Sequence, residues 1–456
     1  MLYRFRNTAR LLEDNELKDQ YLYFAAPSQQ NDPMEGHVEF IWKGDLIAWL
    51  GLFKHYVWQI FMVLTMIDLP LEQLQQLFLN HTEIYWKETR FPEMRVELEN
   101  EFAEDTRIYD LSAILGQYNM VISAGELRAI LKMLHGVALR YANRAVQRWY
   151  PSFFANPNWI DQVFPASLVD HGLNTFINAL RNGAILSAMV KLVNSTTDVS
   201  TLNAHIIANR RNYPGSTATT LFLLYEFPQI YVERISWLAF PDWYCVCFSS
   251  DVSNPAQWGY YADGHKGVCL LFQNSPSGGL ALTSMAKPNR PRKEFCQFQK
   301  VNYGTLLTEI DFFNCLGCLW GDERSHWFRH KGEMSRCEFD MLSNETLWQK
   351  QYRKNSMDRL LRKSAAWSAE QEYRIILDDS WTVHSTNEQR KYRYEFSDLE
   401  GIAFGIKTPL EKKLQIINII RDKCNAQQRN HFNFYQATYT PQTSSIKLIP
   451  IPISLI

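Results

Sequence analysis

Trp367-Ser368-Ala369-Glu370-Gln371-Glu372-Tyr373-Arg374-Ile375-Ile376-Leu377 sets two carboxylates two residues apart at the mouth of an alternating strand. On an extended backbone, residues i and i+2 point to the same face. Glu370 and Glu372 are therefore expected to face one spot where the strand begins. Such a pair suits holding a sugar hydroxyl while opposing a cationic transition state. It is also compatible with ordinary solvated charge, because Glu-x-Glu recurs by chance in most proteins. The weight of the motif comes from the segments that precede it.

Working outward, Leu2-Tyr3-Arg4-Phe5-Arg6 and Tyr21-Leu22-Tyr23-Phe24-Ala25-Ala26 read as strands. The second ends at Pro27-Ser28, and Asn31-Asp32-Pro33 forces a turn, since a residue before proline avoids the helical region. From about 41 to 235 the apolar spacing is helical. Ser123-Ala124-Gly125-Glu126 there is a capping-box sequence. No fixed period is present, so a solenoid is not supported. Near Trp237 the texture changes to strands: Tyr244-Cys245-Val246-Cys247-Phe248-Ser249, Val268 to Phe272, Glu372 to Leu377 and Gly401 to Gly405. Thr408-Pro409-Leu410-Glu411 opens a helix. Phe432 to Thr438 and Ser445 to Ile451 read as a terminal hairpin. The expected fold class is α+β. A small mixed or antiparallel sheet domain is assembled from both chain ends, residues 1–40 and 236–456. A large all-helical insertion occupies 41–235.

Composition bounds the function classes. A chain of 456 residues has room for two to four domains. The 14 tryptophans imply large packed cores or stacking surfaces. A net charge of −1 gives no polyelectrolyte signal for nucleic acid. The 8 cysteines are irregularly spaced, and the N-terminus reads as a strand rather than a signal peptide. Free thiols in a cytoplasmic compartment are expected. The apolar run from Tyr56 to Ile67 falls short of the ~20 residues a membrane span needs, so a buried helix is expected and no membrane partner.

Polar groups at turns and strand ends supply the candidate site. Ser28, Asn31 and Asp32 sit in the turn after the second strand. They satisfy their own backbone there, or line the rim of a pocket. In Trp258-Gly259-Tyr260-Tyr261-Ala262-Asp263-Gly264-His265, Trp258 and Tyr261 share a helical face that packs on the sheet. The other tyrosine and His265 are placed to meet a planar ring. Cys315, Cys318, His326, His330 and Cys337 are explained as well by a helix through the core as by zinc, so no metal site is expected. Basic clusters occur at Lys287, Arg290, Arg292, Lys293 and at Lys350, Arg353, Lys354, Arg359, Arg362, Lys363; the second lies on an expected helix and reads as a solvated face, or as a surface for a nucleic acid or an acidic partner. A divalent metal among Asp32, Glu35, Glu370 and Glu372 is a further reading, that of a hydrolase or nuclease, because hard cations favour oxygen ligands.

Taken in order, Leu2 to Arg6, Phe24 to Ser28 with Asn31-Asp32-Pro33-Met34-Glu35, Cys247-Phe248-Ser249, Trp258 to Gly267 and Glu370-Gln371-Glu372-Tyr373-Arg374 resemble a widespread bacterial family. That family is known mainly as a domain of uncharacterised function. The order of chemistry also resembles the ADP-ribosyltransferase superfamily. That resemblance implies NAD as the substrate, with Arg4 holding the dinucleotide and Arg6 as its rival. Tyr260 or Tyr261 would stack on nicotinamide, Glu372 would be the catalytic group and Glu370 would position the acceptor. The superfamily's Ser-Thr-Ser strand is represented only by Cys247-Phe248-Ser249-Ser250. The resemblance implies an ADP-ribosyltransferase or NAD glycohydrolase, a toxin or defence effector acting on a protein or nucleic acid and held by an antitoxin or defence partner. A non-catalytic, nucleotide-sensing interaction protein is the alternative.

Overall fold

The computed structural model describes the chain except for residues 33, 72–73, 75–90, 118–119, 153–158, 184–185, 192, 194, 196–201, 203–217, 274–277, 287–292, 305–308, 320, 379–385 and 454–456. Pro33 and the basic residues Lys287, Arg290 and Arg292 thus lie outside the described residues. The chain divides into two units. One comprises residues 1–37, 241–307 and 355–456, and the other 38–240 and 308–354.

The first unit is built on an eight-stranded sheet. Its order is Ser445–Ile451, Asn433–Thr440, Leu399–Phe404, Val268–Phe272, Leu2–Arg6, Trp243–Ser249, Glu372–Asp378 and Gln299–Lys300. It is larger than the small sheet expected, and it is mixed. Leu399–Phe404 and Asn433–Thr440 run parallel. A parallel pair needs a crossover, and the helix Leu410–Gln427 lies between them in sequence. Asn433–Thr440 then turns into Ser445–Ile451 as an antiparallel hairpin. Val268–Phe272 is buried along its whole length, as expected of a strand covered on both faces. Alternation sends Leu270 and Phe272 to one core with Ile402, Phe404 and, from the crossover helix, Ile416 and Ile420. Cys269 and Leu271 go to the other, with Phe5 and Trp258. Trp258 belongs to the helix Pro255–Tyr261, capped by the side chain of Asn254, which accepts the Ala256 N–H. A second sheet runs Tyr21–Tyr23, Lys391–Arg393, Gly279–Ser284 and Lys293–Gln297.

The second unit is helical around Leu46–Thr65, which Asp45 caps by accepting the Ala48 N–H at 2.9 Å. This helix is apolar and long enough to cross a membrane, but it is the core of the unit, buried on all sides. Its neighbours are Phe91–Glu104, Thr106–Leu115, Ala124–Trp149 and Gly321–Phe328. A Cβ at Gly51 would run into the backbone carbonyl of Trp327, so glycine there permits the close approach of two helices. The Ser123–Glu126 capping box forms as expected.

The largest departure from the expected boundaries comes after residue 307. Residues 308–354 belong to the helical unit. The reason is a long-range pairing: Glu309–Asp311 lies parallel to Glu39–Trp42, which also pairs with Ile122–Ser123. The helical unit therefore carries a small sheet of its own. Within it, Cys315 is buried in the core and the His326 ring faces Glu99 at 2.8 Å. Among the described residues no group of three or more His, Cys, Asp or Glu side chains could hold a metal ion.

Candidate functional site

Three adjacent strands of the large sheet frame the site, and the pairing between two of them is brief. Leu2–Arg6 meets Trp243–Ser249 at Tyr3 and Ser249. Further along, Trp243–Ser249 changes partner: Cys245 and Ala25 exchange two backbone hydrogen bonds, at 2.9 and 3.0 Å. Between these pairings the strand edge forks, and Arg4 fills the fork. One terminal nitrogen of Arg4 donates to the Cys247 carbonyl at 3.1 Å, and its guanidinium lies over the Phe248 ring. Arg4 Nε sits 3.9 Å from Glu16 and is buried with no hydrogen-bond partner among the described residues. Arg6 holds Glu16 more closely, with Nε donating to Oε1 at 2.9 Å. Burial, with Arg6 alongside, pulls the Arg4 guanidinium down to about 10. It remains a cation at neutral pH.

The third strand brings the carboxylates. Glu372 pairs with Ser249, which pairs with Tyr3, so one register line crosses all three strands. The Glu-x-Glu segment is not extended, however. Glu370 ends a 3-10 turn, Ala365–Glu370, and Gln371 has φ 44°. The carboxylates meet through that turn rather than through strand alternation. Ser249 steadies it by donating Oγ–H to the Glu370 carbonyl at 2.7 Å.

Both carboxylates converge on Lys363. Its amino group lies 2.7 Å from Glu370, 3.0 Å from Glu372 and 3.0 Å from Glu35. Arg374 bridges the same group, with Nε donating to Glu372 at 2.7 Å and a terminal nitrogen to Glu35 at 2.7 Å. Its other terminal nitrogen donates to the Leu360 carbonyl at 2.7 Å. The Tyr261 hydroxyl donates to Glu370. Three carboxylates against two cations leave one negative charge in excess. The point a divalent metal would occupy among Glu35, Glu370 and Glu372 is taken by the Lys363 ammonium.

The two ends of this machinery line one cleft of about 260 Å³. Arg4, Arg6 and Arg10 line it together with Glu35, Lys363, Glu370 and Glu372. Burial alone would raise the Glu372 carboxyl, but Arg374 and then Lys363 outweigh it and hold the group at about 2, below the usual 4.5. Burial dominates at Glu35 and pushes its carboxyl up. The two groups therefore act on stability with opposite sign. As pH falls, an unfolded chain takes up the Glu372 proton before the native one does. Its contribution is present above about pH 5 and lost as pH falls toward 2. Glu35 contributes instead at low pH and loses that contribution as pH rises through its raised value. The expected result is that Glu372→Gln costs about 3 kcal/mol at pH 6 and that the difference from wild type vanishes near pH 2. Urea unfolding of both proteins across that range checks it. A difference independent of pH would mean that the Glu372 charge is not what stabilises.

Of the residues singled out in the sequence, Arg4, Arg6, Asn31, Ser249, Tyr260, Tyr261, Glu370 and Glu372 line the cleft. Tyr260 is 73 % exposed, so it is not a core aromatic. Three lie elsewhere. Ser28 is exposed on the short 3-10 helix Pro27–Gln29. Asp32 turns inward and accepts the Met34 N–H at 3.0 Å, satisfying the backbone of its own turn. His265 is held in a left-handed turn, φ 70°, by its own backbone, whose N–H donates to the Trp258 carbonyl and whose carbonyl accepts the Lys407 N–H. Lys363, assigned above to a solvated basic face, is only 4 % exposed. Arg374, fully buried, was also missed as part of the site. Its i+2 spacing from Glu372 on one strand face was the available signal.

Residues 257–375 match the family model described as a protein of unknown function (DUF2971). The matched stretch carries Tyr260, Tyr261, Lys363, Glu370, Glu372 and Arg374. An uncharacterised family is thus what the comparison supports. No curated protein and no solved structure matches the chain.

Proposed function

We propose that this cleft binds NAD and cleaves its nicotinamide–ribose bond, passing ADP-ribose to water or to a macromolecular acceptor, protein or nucleic acid. The observation that carries the proposal is the register line from Tyr3 through Ser249 to Glu372, with Arg4 in the fork beside it. It brings a cation and a carboxylate group into the lining of one cleft. Arg4, with its unused Nε, and Arg6 would take the pyrophosphate, to which guanidinium geometry is suited. Tyr260 would stack on the nicotinamide ring. Nicotinamide leaves with the bonding electron pair, and the ribose carbon passes through an oxocarbenium-like state, as in glycoside hydrolysis. The negative excess around Glu370 and Glu372 opposes that developing charge in a site largely screened from water. The acceptor oxygen then bonds to the ribose carbon and passes its proton to water. At about 260 Å³ the cleft is slightly below the usual ~300–1,000 Å³ of small-molecule sites. It suits the reacting half of a dinucleotide.

One observation favours a non-catalytic nucleotide sensor instead. Both oxygens of Glu372 are already engaged, by Arg374 and Lys363. Incubation of the purified chain with NAD, with detection of free nicotinamide and of NAD binding, separates the two. Release supports cleavage, binding without release supports the sensor, and neither contradicts both.

A further inference from the structure

Lys363 sits where the carboxylates cannot do without it. Its backbone is fixed independently of them, by the parallel pairing of Arg362–Lys363 with Asn302–Tyr303. The Asn302 N–H also donates to the Leu361 carbonyl at 2.7 Å. The ammonium is thus delivered to a set position beside the Trp367 ring, 5.2 Å from its centroid. There it meets Glu35 from the N-terminal segment, Glu370 from the 3-10 turn and Glu372 from the strand.

The other groups facing this point do not substitute for it. Arg374 reaches Glu35 and Glu372, whereas Glu370 is paired with Lys363. Tyr261, on the Pro255–Tyr261 helix, donates a hydrogen bond to Glu370 but carries no charge, because burial and then Glu370 itself push its hydroxyl up. Tyr303, on the short strand beside Lys363, accepts the Glu372 N–H at 2.8 Å, and its hydroxyl is pushed up to about 12, first by burial. The Cys247 thiol, on Trp243–Ser249, is also pushed up, first by its hydrogen bond with Cys245 and then by burial. All three are neutral in the physiological range. Among the described residues, Lys363 is therefore the cation that neutralises Glu370 while also serving the other two carboxylates.

We propose that Lys363 is the positioning residue of this site: it keeps Glu35, Glu370 and Glu372 ionised together and holds Glu370 and Glu372 at the cleft. This role rests on the cleavage reaction proposed above. Carboxylates that share a site repel, and one of them takes up a proton unless a cation lies between them. Loss of Lys363 leaves Glu370 with a hydroxyl partner alone. The negative excess that would oppose an oxocarbenium charge is then discharged by protonation.

Lys363→Met and Lys363→Arg test this with two readouts. The first is the infrared carboxyl band at neutral pH. Lys363→Met is expected to show an additional protonated carboxyl relative to wild type, and Lys363→Arg none. The second is the pH profile of nicotinamide release. The acid limb is expected to move up by about 1–3 pH units in Lys363→Met, with activity recovering at higher pH, and Lys363→Arg is expected to restore the wild-type limb. Unchanged carboxyl ionisation overturns the proposal. So does an equal loss of activity at every pH, which is what a merely structural lysine would give. If the wild-type chain releases no nicotinamide, the cleavage reaction falls, and the infrared comparison still decides whether Lys363 holds the carboxylates ionised. Should Lys363→Met fail to fold, Glu35→Gln with Lys363→Met preserves the net charge of the cluster. Glu370 is still left there without a cation, and both readouts are then taken against Glu35→Gln alone rather than against wild type.

Discussion

Arg374→Met is expected to cost about 3–5 kcal/mol of folding stability. Arg374 is fully buried, and its guanidinium donates to Glu372, Glu35 and the Leu360 carbonyl. Methionine keeps much of the volume but supplies no charge and no donor. Two buried carboxylates and a buried carbonyl would then lose a partner at once, and removing one member of a buried ionic group is far more costly than replacing the whole group by apolar residues. Urea unfolding near neutral pH measures the loss. A cost below about 1 kcal/mol, the range of an exposed ion pair, would mean that the network is solvated in solution.

Glu372→Gln is expected to lower nicotinamide release by about 10²–10³-fold, the usual effect of removing one aimed electrostatic group. The amide keeps the shape of the side chain and removes its charge. Glu372 is buried between Arg374 and Lys363, so its replacement costs stability as well as rate. The rate should therefore be compared at a temperature where both proteins are folded, with circular dichroism on the same samples. A folded Glu372→Gln protein with wild-type activity would remove this residue as the catalytic group.

The strands that frame the site were legible in the sequence because each is a short run, alternating or continuously apolar, bounded by turn residues. Leu2–Arg6, Trp243–Ser249 and Glu372–Asp378 all form, and they lie side by side. The α+β class followed from the same contrast between strand and helical spacing. The attachment of residues 308–354 to the helical unit was not legible. It depends on Glu309–Asp311 finding Glu39–Trp42, and strands this short carry no pattern that names a distant partner. The convergence of Glu370 and Glu372 was anticipated for a reason the structure replaces, since Gln371 in a left-handed conformation makes the turn. Lys363 was hidden by its neighbours in a basic run. It is buried where it meets Glu35 as well as Glu370 and Glu372, and nothing in the basic run sets it apart from its solvated neighbours. His265, between Gly264 and Gly267, sits in a turn. That turn serves its own backbone hydrogen bonds rather than the cleft.

Incubation of the purified wild-type chain with NAD, with free nicotinamide followed over time and NAD binding measured by calorimetry on the same preparation, tests the central claim most directly. The expected result is saturable binding with continuing release of nicotinamide by wild type, and binding with release about 10²–10³-fold slower by Glu372→Gln. Binding by the wild-type chain with no release above the uncatalysed rate would contradict cleavage, and would leave the cleft a nucleotide-binding site whose carboxylates serve only to hold it together.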